Sequence, residues 1–595
     1  MKSNKCSLKK ARDARMLKSF VKGISSDYSV NITSINDYNR DKGLIFGKGA
    51  LVRLDSHFNK LFYGDNSDLT SPFFKLIPYA SGFRGFSGYD NDNIRKLIFK
   101  TVKSVLSNSS LYNSSDAYRA FEDDQVKRLG NTSLIVPFCD ITDGLIVNVL
   151  GFFSRDSNIS YDSYALEEAV SCVRRILPEE GLLPCSLEEA YDRSDKTSNW
   201  GPPYWLPGRN TIDDDSFLTY GEFTYNVCKN ILVNNLKIPN LPCVAVIRVQ
   251  PNGTDTPKQR LAWAVSHIVT LLESRYQIPL VRQLKDVYHF SESKSEEATD
   301  SVMNEIFDHA IKHDLHLIGF DAKLFDISVP QVLIKEAYGI IADWFDNDSR
   351  DRLVELSEIM YSSDLITPIG VFTGREAGIS SGMAFTNTCD SIVQLILFHY
   401  VRLKLNAPEA MCRIICNGDD GVWIIPGLTP GILSTLVGDF GMVVNPDKVS
   451  YSKYDVSFCQ RFYEYNYKIG GLHRGVRSLY RVLSSMTVYE RIRRADMWND
   501  YCDSVRCIMQ LENLKWSPSF EETVSLLMKA DRKYSLGMNL FGGINELYSR
   551  AGDTGNLVFR LGTSSWERNK IRYKLDKGNG LSVVKLIEDL FNTTL

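Results

Sequence analysis

Ile414, Ile415 and Cys416 form one apolar run, and Val422, Trp423, Ile424 and Ile425 form another. Between them lies the polar turn Asn417-Gly418-Asp419-Asp420-Gly421. Apolar strand, Gly-rich turn and apolar strand predict a hairpin with two adjacent carboxylates at its tip. A second apolar stretch, Leu317 to Phe320, ends at Asp321, with Asp326 five positions further on. Positions five apart on an unbroken strand face opposite sides, so the chain must turn if both serve one site. Leu333, Ala337, Ile341 and Phe345 then recur at four-residue spacing beside Ile340 and Trp344, which predicts a helix. The strand is therefore expected to end near Asp321, and a helix to start soon after Asp326. Between these segments, Gly374, Gly378 and Gly382 mark a loop whose backbone can approach a ligand. A helix comes next, with Phe385, Ile392, Ile396 and Tyr400 on about one face and Thr386 and Asp390 on another. The longest apolar run, Leu145 to Phe153, has the length of a strand, and none approaches the ~20 residues of a membrane span.

Two neighbouring carboxylates repel each other. A divalent cation removes the difficulty, and hard Mg²⁺ prefers carboxylate oxygens. A solvated Asp-rich turn explains the hairpin tip equally well by itself. The second acidic segment changes that balance, because Asp321 at a strand tip can meet Asp419 across a sheet. Three carboxylates from two strand ends suit a two-metal site for in-line phosphoryl transfer. Thr386 and Asp390 supply a hydroxyl and a carboxylate at a spacing suited to a ribose, although a loop and a capped helix would produce the same pattern.

Composition narrows the class further. The 595 residues are 44% hydrophobic and 24% charged, an ordinary globular balance that can bury a large core. The soft prior from length is about four domain-sized units. A net charge of −3 argues against a general nucleic-acid coat, but phosphate contacts need only local positive charge. Twelve cysteines include no Cys-x-x-Cys pair and there are eight histidines, so neither a zinc site nor a disulfide framework is expected. Cys412 and Cys416 are expected to be core thiols, and a reducing cytosol is the default. The N-terminus is basic, with Lys2, Lys5, Lys9, Lys10, Arg12, Arg15, Lys18 and Lys22. A solvated tail or helix, an RNA- or capsid-contacting arm, and a mitochondrial-type presequence all fit it. Asp213-Asp214-Asp215 reads as an acidic turn.

In order and spacing, these segments resemble the viral RNA-dependent RNA polymerases. Asp321 and Asp326 match the Asp-x4-Asp of motif A. Ser381-Gly382, Thr386 and Asp390 match motif B, and Gly418-Asp419-Asp420 matches motif C. The position four after Thr386 is often Asn in positive-strand families but is Asp390 here, and Asn387 is the nearest Asn. That Asp, with Phe385 before the Thr, is more similar to the picobirnavirus and partitivirus group of double-stranded RNA viruses. Lys258, Arg260 and Trp263 resemble motif F, with Arg248 on the preceding strand. Gly441 to Lys448 resembles motif D, Ser457 to Tyr463 the hairpin of motif E, and Lys196 to Pro203 motif G.

The resemblance implies an α+β, right-hand polymerase of fingers, palm and thumb. An antiparallel palm sheet would carry the catalytic aspartates, and an N-terminal extension would close the molecule. The implied division is 1–115 extension bridging fingers and thumb, 116–310 fingers, 311–344 palm, 345–378 fingers insertion, 379–470 palm and 471–595 thumb with tail. It implies template-directed RNA synthesis from rNTPs, in replication and transcription of a viral RNA genome. Asp321, Asp419 and Asp420 would hold two Mg²⁺ ions, with Mn²⁺ able to take their place. Asp326 with Thr386 and Asp390 or Asn387 would check the ribose 2′-hydroxyl, beside Ser381 and Gly382. Arg248, Lys258 and Arg260 would hold the triphosphate, and Lys448 would protonate the leaving pyrophosphate. Arg477, Arg481, Arg491, Arg493 and Arg494 would offer product RNA a basic stretch. Expected partners are RNA template, nascent RNA, rNTPs and a capsid protein, in the virion interior and the host cytoplasm. Two rivals remain in view. A reverse transcriptase would carry a bulky steric gate at Asp326 and usually Tyr-x-Asp-Asp at 417–420. A non-enzymatic RNA-binding or virion protein would not need three metal-facing aspartates.

Overall fold

The structure, a computed structural model, describes residues 14–43, 45–63, 91–128, 146–153, 159–176, 181–212, 217–250, 258–292, 294–444, 449–487, 499–551 and 581–594. Lys448, the Asp213-Asp214-Asp215 turn, Lys2 to Arg12, and Arg491, Arg493 and Arg494 lie outside the described residues. Two sheets organise the molecule. The first is built from β1 Asn31–Thr33, β2 Cys243–Gln250, β3 Lys258–Ala264, β5 Leu365–Thr367 and β6 Gly370–Thr373, in the order β1-β6-β5-β2-β3. The second is built from β4 Leu317–Phe320, β7 Arg413–Asn417, β8 Asp420–Ile424 and β9 Ser450–Ser452, in the order β7-β8-β4-β9. All its pairings are antiparallel.

The second sheet is covered on both faces, which explains why β7 and β8 read as unbroken apolar runs. Successive side chains point to opposite faces. Ile318, Phe320, Ile414, Cys416 and Trp423 enter the largest core. Leu317, Ile415, Val422 and Ile424 enter a second, with Val302, Met303, Ile306 and Phe307. Those four belong to the helix α5, Glu296–His313. The first face receives α8, Thr386–Lys404, buried at every position from Thr388 to Arg402. Phe320 and Trp423 stack there, with ring centroids 4.7 Å apart.

Other elements also follow the pattern of the sequence. The periodic stretch from Leu333 forms the helix α7, Gln331–Trp344, with Phe345 as its C-cap. Phe458 to Arg461 closes a hairpin between β10 (Asp455–Phe458) and β11 (Arg461–Glu464), with positive φ at Cys459 and Gln460. The segment near Leu145 to Phe153 does not: it forms the helix α3, Ile146–Phe153, rather than a strand. Short apolar runs fit either period. Here Ile146, Val149 and Leu150 fall on one helical face and are buried. Cys412 and Cys416 are buried free thiols.

The N-terminal part touches both ends of the molecule. Strand β1 pairs with β6 at the edge of the five-stranded sheet. The helices α1 (Asn91–Leu106) and α2 (Asp116–Arg128) pack instead with the C-terminal helices α9 (Leu479–Thr487), α10 (Asp500–Glu512), α11 (Phe520–Ala530) and α12 (Ser582–Thr594). Residues 116–128, grouped by sequence with the fingers, thus join the C-terminal core. Their aromatic face decides this: Tyr118 and Phe121 set their rings 5.6 and 5.3 Å from that of Phe462. Glu122 of α2 anchors the join. It accepts from Ser478 Oγ (2.7 Å), Leu479 N (2.8 Å) and Tyr118 OH (2.9 Å). Burial pushes its carboxyl up, and these donors oppose that rise. Replacing Glu122 with Ala strands the start of α9 without an acceptor. The expected loss is about 2–4 kcal/mol in denaturant unfolding.

Candidate active site

The turn between β7 and β8 is set by its register. Asn417 pairs with Asp420, leaving Gly418 and Asp419 as the two central residues. Gly418 has φ +63, and a Cβ there would lie 2.4 Å from Asn387 Oδ1, so both backbone and space require glycine. On the neighbouring strand Phe320 faces Gly421. Asp321 therefore leaves β4 beside Asp420, about one strand spacing (~4.8 Å) away. The expectation that a strand tip carries Asp321 to this hairpin matches the observed register.

A polar stripe on α8 holds the turn. Asn387, Ser391 and Gln394 lie at helical spacing on the face of the helix that meets the turn. Asn387 Nδ2 donates to Asn417 Oδ1 (2.9 Å). Ser391 Oγ accepts from Gly418 N (2.8 Å). Gln394 Nε2 donates to Gly418 O (3.0 Å), and its Oε1 accepts from Trp423 Nε1 (3.1 Å). A Cβ on Gly421 would sit 1.7 Å from that same Oε1. Cys459 Sγ, at the neighbouring hairpin tip, accepts from Asn417 Nδ2 (3.3 Å).

The chain does turn between Asp321 and Asp326. Leu324 is left-handed, and Asp326 lies in the first turn of the helix α6, Phe325–Ser328. This turn brings Asp326 towards Asp419 and Asp390. Burial pushes Asp326 up to about 6; the charge of Asp419 adds to this, and that of Arg260 opposes it. Asp390 is 5% exposed, and its Oδ1 has no hydrogen-bond partner. Burial pushes it well above the usual carboxylate range, and Asp326, Asp419 and Glu292 push it further. Glu292 accepts from Thr388 Oγ1 (2.9 Å).

Among the described residues, no group of three or more His, Cys, Asp or Glu side chains is placed to hold a metal ion by itself. Mg²⁺ is seldom held that way: one or two carboxylates anchor it, with waters and substrate phosphates completing the shell. Mutually repelling oxygen donors on two strand tips, with an unpartnered Asp390 oxygen behind them, fit such an open site. Arg260 is exposed next to Asp326. The register sets Arg248 directly opposite Arg260 and Gln250 opposite Lys258. Like charges facing each other across a ladder destabilise it unless an anion lies between them. The side chains of Arg248 and Lys258 lie outside the described residues.

The Gly-rich loop packs on β3 and α6. Gly378 N donates to Val329 O (3.0 Å) and Ile379 N to Asp326 O (2.7 Å). Ser381 Oγ accepts from Trp263 N (3.2 Å), and a Cβ on Gly382 would lie 2.0 Å from Trp263 O. Thr386, expected to face a ribose, gives its proton to Ser380 O (2.8 Å) and Met383 O (2.9 Å), so it fastens the loop to α8. Arg477, expected in the basic stretch offered to product RNA, is half-buried. It donates to Gln460 Oε1 (2.6 Å), and burial lowers its pKa to about 10.

Two residues that the sequence does not single out also hold this loop. Arg375, 2% exposed, donates to Met360 O (2.6 Å), Ser380 Oγ (2.8 Å) and Gly378 O (3.3 Å), and lies 4.4 Å from the Trp263 ring centroid. Glu273 of the helix α4, His267–Leu284, accepts from Ala384 N and from Tyr338 OH (2.8 Å). Burial pushes Glu273 up to about 7. Nothing local in the sequence marks either residue. The stripe of Ser391 and Gln394 does leave a signal, as polar positions four and seven after Asn387 in a helix whose middle is mostly apolar.

Gly421→Ala must displace Gln394 and is expected to lower the unfolding free energy by about 2 kcal/mol or more. Gly438→Ala meets nothing within 4 Å and is the control. Its expected change is within about 0.5 kcal/mol, or slightly stabilising, in the same denaturant titration.

Residues 180–484 match the family model described as viral RNA-dependent RNA polymerase. A potential RNA-dependent RNA polymerase of Human picobirnavirus (strain Human/Thailand/Hy005102/-) is 26% identical over 445 residues, covering 72% of this chain and 79% of that protein. A genome polyprotein of Bovine enteric calicivirus NB is 24% identical over 303 residues, covering 48% of this chain and 14% of the polyprotein. In fold, the chain is similar to the crystal structure of the RNA-dependent RNA polymerase of a human picobirnavirus. The TM-score is 0.72 at 19% identity, over 94% of this chain and 100% of the other. The family model spans more than half of the sequence and contains the two acidic strand tips, the Gly-rich loop and α8, so the chain belongs to the viral RNA-dependent RNA polymerases.

Proposed function

We propose that this polymerase copies an RNA template from rNTPs by two-metal nucleotidyl transfer at the tips of β4 and the β7–β8 hairpin. The observation that carries the reading is the convergence of Asp326 on α6 and Asp390 on α8 with Asp419 at the hairpin tip, beside Asp321; burial raises the proton affinity of Asp326 and Asp390, and the charge of Asp419 adds to it. Two divalent cations bound by Asp321 and Asp419, with Asp420 beside them, would lower the pKa of the attacking 3′-hydroxyl and neutralise the triphosphate. Every other contribution comes from the chain. The α8 stripe fixes the turn, so the carboxylates need no rearrangement when substrate arrives. Arg260, with Lys258 and Arg248, offers positive charge to the triphosphate. Lys448 is assigned the proton for the leaving pyrophosphate.

Ribose selection falls to Asp326, Asp390 and Asn387. A site built to hydrogen-bond a hydroxyl rejects the deoxy analogue, because buried polar groups are then left unpaired. Ser381, Gly382 and Thr386 shape the loop that presents these groups. The five-stranded sheet is read as the core of the fingers (116–310 and 345–378, apart from α2, which packs with the C-terminal helices), the four-stranded sheet as palm (311–344 and 379–470), and the C-terminal helices as thumb (471–595). Residues 1–115 are read as the extension that links fingers and thumb. The resemblance to the picobirnavirus group supports replication and transcription of a double-stranded RNA genome, with a capsid protein as partner. The expected setting is the virion interior and the host cytoplasm. The ten described cysteines, all free thiols, suit a reducing compartment.

The test is ribonucleotide incorporation on single-stranded RNA with Mg²⁺. Asp419→Ala is expected to lower the rate by about 10³-fold or more while the unfolding midpoint stays within a few degrees of wild type. Substantial residual synthesis by that variant would sink the assignment. Incorporation of dNTPs in place of rNTPs would mark a reverse transcriptase.

A further inference from the structure

Glu273 lies apart from the acidic strand tips and is fully buried. The Phe385 N–H lies against it, and its further hydrogen-bond partners are a phenol and a second backbone N–H. That second N–H belongs to Ala384, 111 residues further along the chain. Here the Gly-rich loop becomes α8. The cap position of α8, Phe385, makes no side-chain cap bond. The first N–H groups of a helix have no partner within the helix. Glu273 reaches in from α4 to accept at this junction, and a carboxylate at a helix N-terminus is also favoured by the helix dipole. Its other oxygen is fixed by Tyr338 of α7.

The opposite half of the loop is held by Arg375, whose guanidinium spans Met360, Gly378 and Ser380 beneath the Trp263 ring. A loop with glycines at 374, 378 and 382 thus hangs between a buried guanidinium and a buried carboxyl. Directly after the carboxyl's contact at Ala384 come the first two turns of α8, which carry Asn387, Asp390 and Ser391. Asn387 and Ser391 hold the Gly418 turn, and Asp390 faces Asp326. A shift at Ala384 would move both sets together.

We propose that Glu273 is a positioning residue: by anchoring Ala384 it fixes the start of α8, and so sets how strictly the site separates ribo- from deoxyribonucleotides. The inference rests on the reading of Asp326, Asp390 and Asn387 as the ribose-facing groups. A bond to the loop from a distant helix makes discrimination a property of the fingers–palm packing as well as of the groups that meet the sugar. Glutamine keeps an oxygen for Ala384 N, whereas alanine leaves that N–H and the Tyr338 hydroxyl without their shared acceptor.

The experiment compares kcat/KM for ATP and for dATP in the full-length chain on single-stranded RNA with Mg²⁺. Wild type, Glu273→Ala, Glu273→Gln and Asp326→Ala are measured well below their unfolding midpoints. The ratio of the two constants does not depend on the fraction of active enzyme, so general loss of folded protein leaves it unmoved. Glu273→Ala is expected to lower the ATP/dATP ratio by about tenfold, mainly through a raised KM for ATP, and Glu273→Gln to restore most of it. A ratio that Glu273→Ala leaves within about twofold of wild type overturns the inference. A ratio that Asp326→Ala leaves unchanged overturns the ribose reading instead, so the two failures are told apart. If Glu273→Ala does not fold, Glu273→Asp, which shortens the reach by one methylene, carries the same test with the same outcomes.

Discussion

The site depends on carboxylates being forced together against their own repulsion. Asp321 and Asp419 arrive on different strands, Asp326 on a one-turn helix and Asp390 on α8. Left to themselves, such groups would separate into water. They stay because each backbone is held by something stronger. β4 and β8 share a ladder buried on both faces. The Gly418 turn is bonded at its N–H and its carbonyl to Ser391 and Gln394. Apolar burial at ~25 cal/mol per Å² on both sheet faces supplies the driving force, and the α8 stripe supplies direction. Burial raises the proton affinity of Asp326 and Asp390, and the repulsion of their neighbours adds to it.

This arrangement links sequence to chemistry through space. Gly421 is glycine because Gln394 occupies the position of its Cβ, and Gly382 because the Trp263 carbonyl does. The Gly-rich loop therefore has little freedom in this structure despite its composition. It lies on β3, is stapled by Ser381 and Thr386, and is suspended between Arg375 and Glu273. Loop glycines serve close approach here as much as conformational range.

Much of this was legible in the sequence because the signals are local. The hairpin follows from two apolar runs about an Asn-Gly-Asp-Asp turn. The end of β4 follows from the change from apolar to acidic at Asp321, and the turn before Asp326 from the two-residue period of a strand. The rest was set by contacts between distant segments. Ile146–Phe153 is a helix because a neighbouring core takes one helical face, which a short and mostly apolar run does not reveal. Residues 116–128 join the C-terminal helices through Tyr118, Phe121 and Glu122, partners more than 300 positions away. Thr386 read as free for a ligand, but the folded loop supplies two carbonyls for its proton. Glu273 and Arg375 carry no motif, and only the fold shows that they meet the loop.

If the crowded carboxylates are a cation site, Mg²⁺ must bind there before any substrate arrives. The direct measurement is the thermal unfolding midpoint of wild type and of Asp419→Asn as Mg²⁺ is titrated at constant ionic strength. A ligand that binds only the folded state raises the midpoint in a saturable way. Such a rise is expected in wild type, and its loss in Asp419→Asn, whose apo midpoint should equal or exceed that of wild type because one repulsion is gone. An equal rise in both proteins, or none in wild type, would refute the cation site.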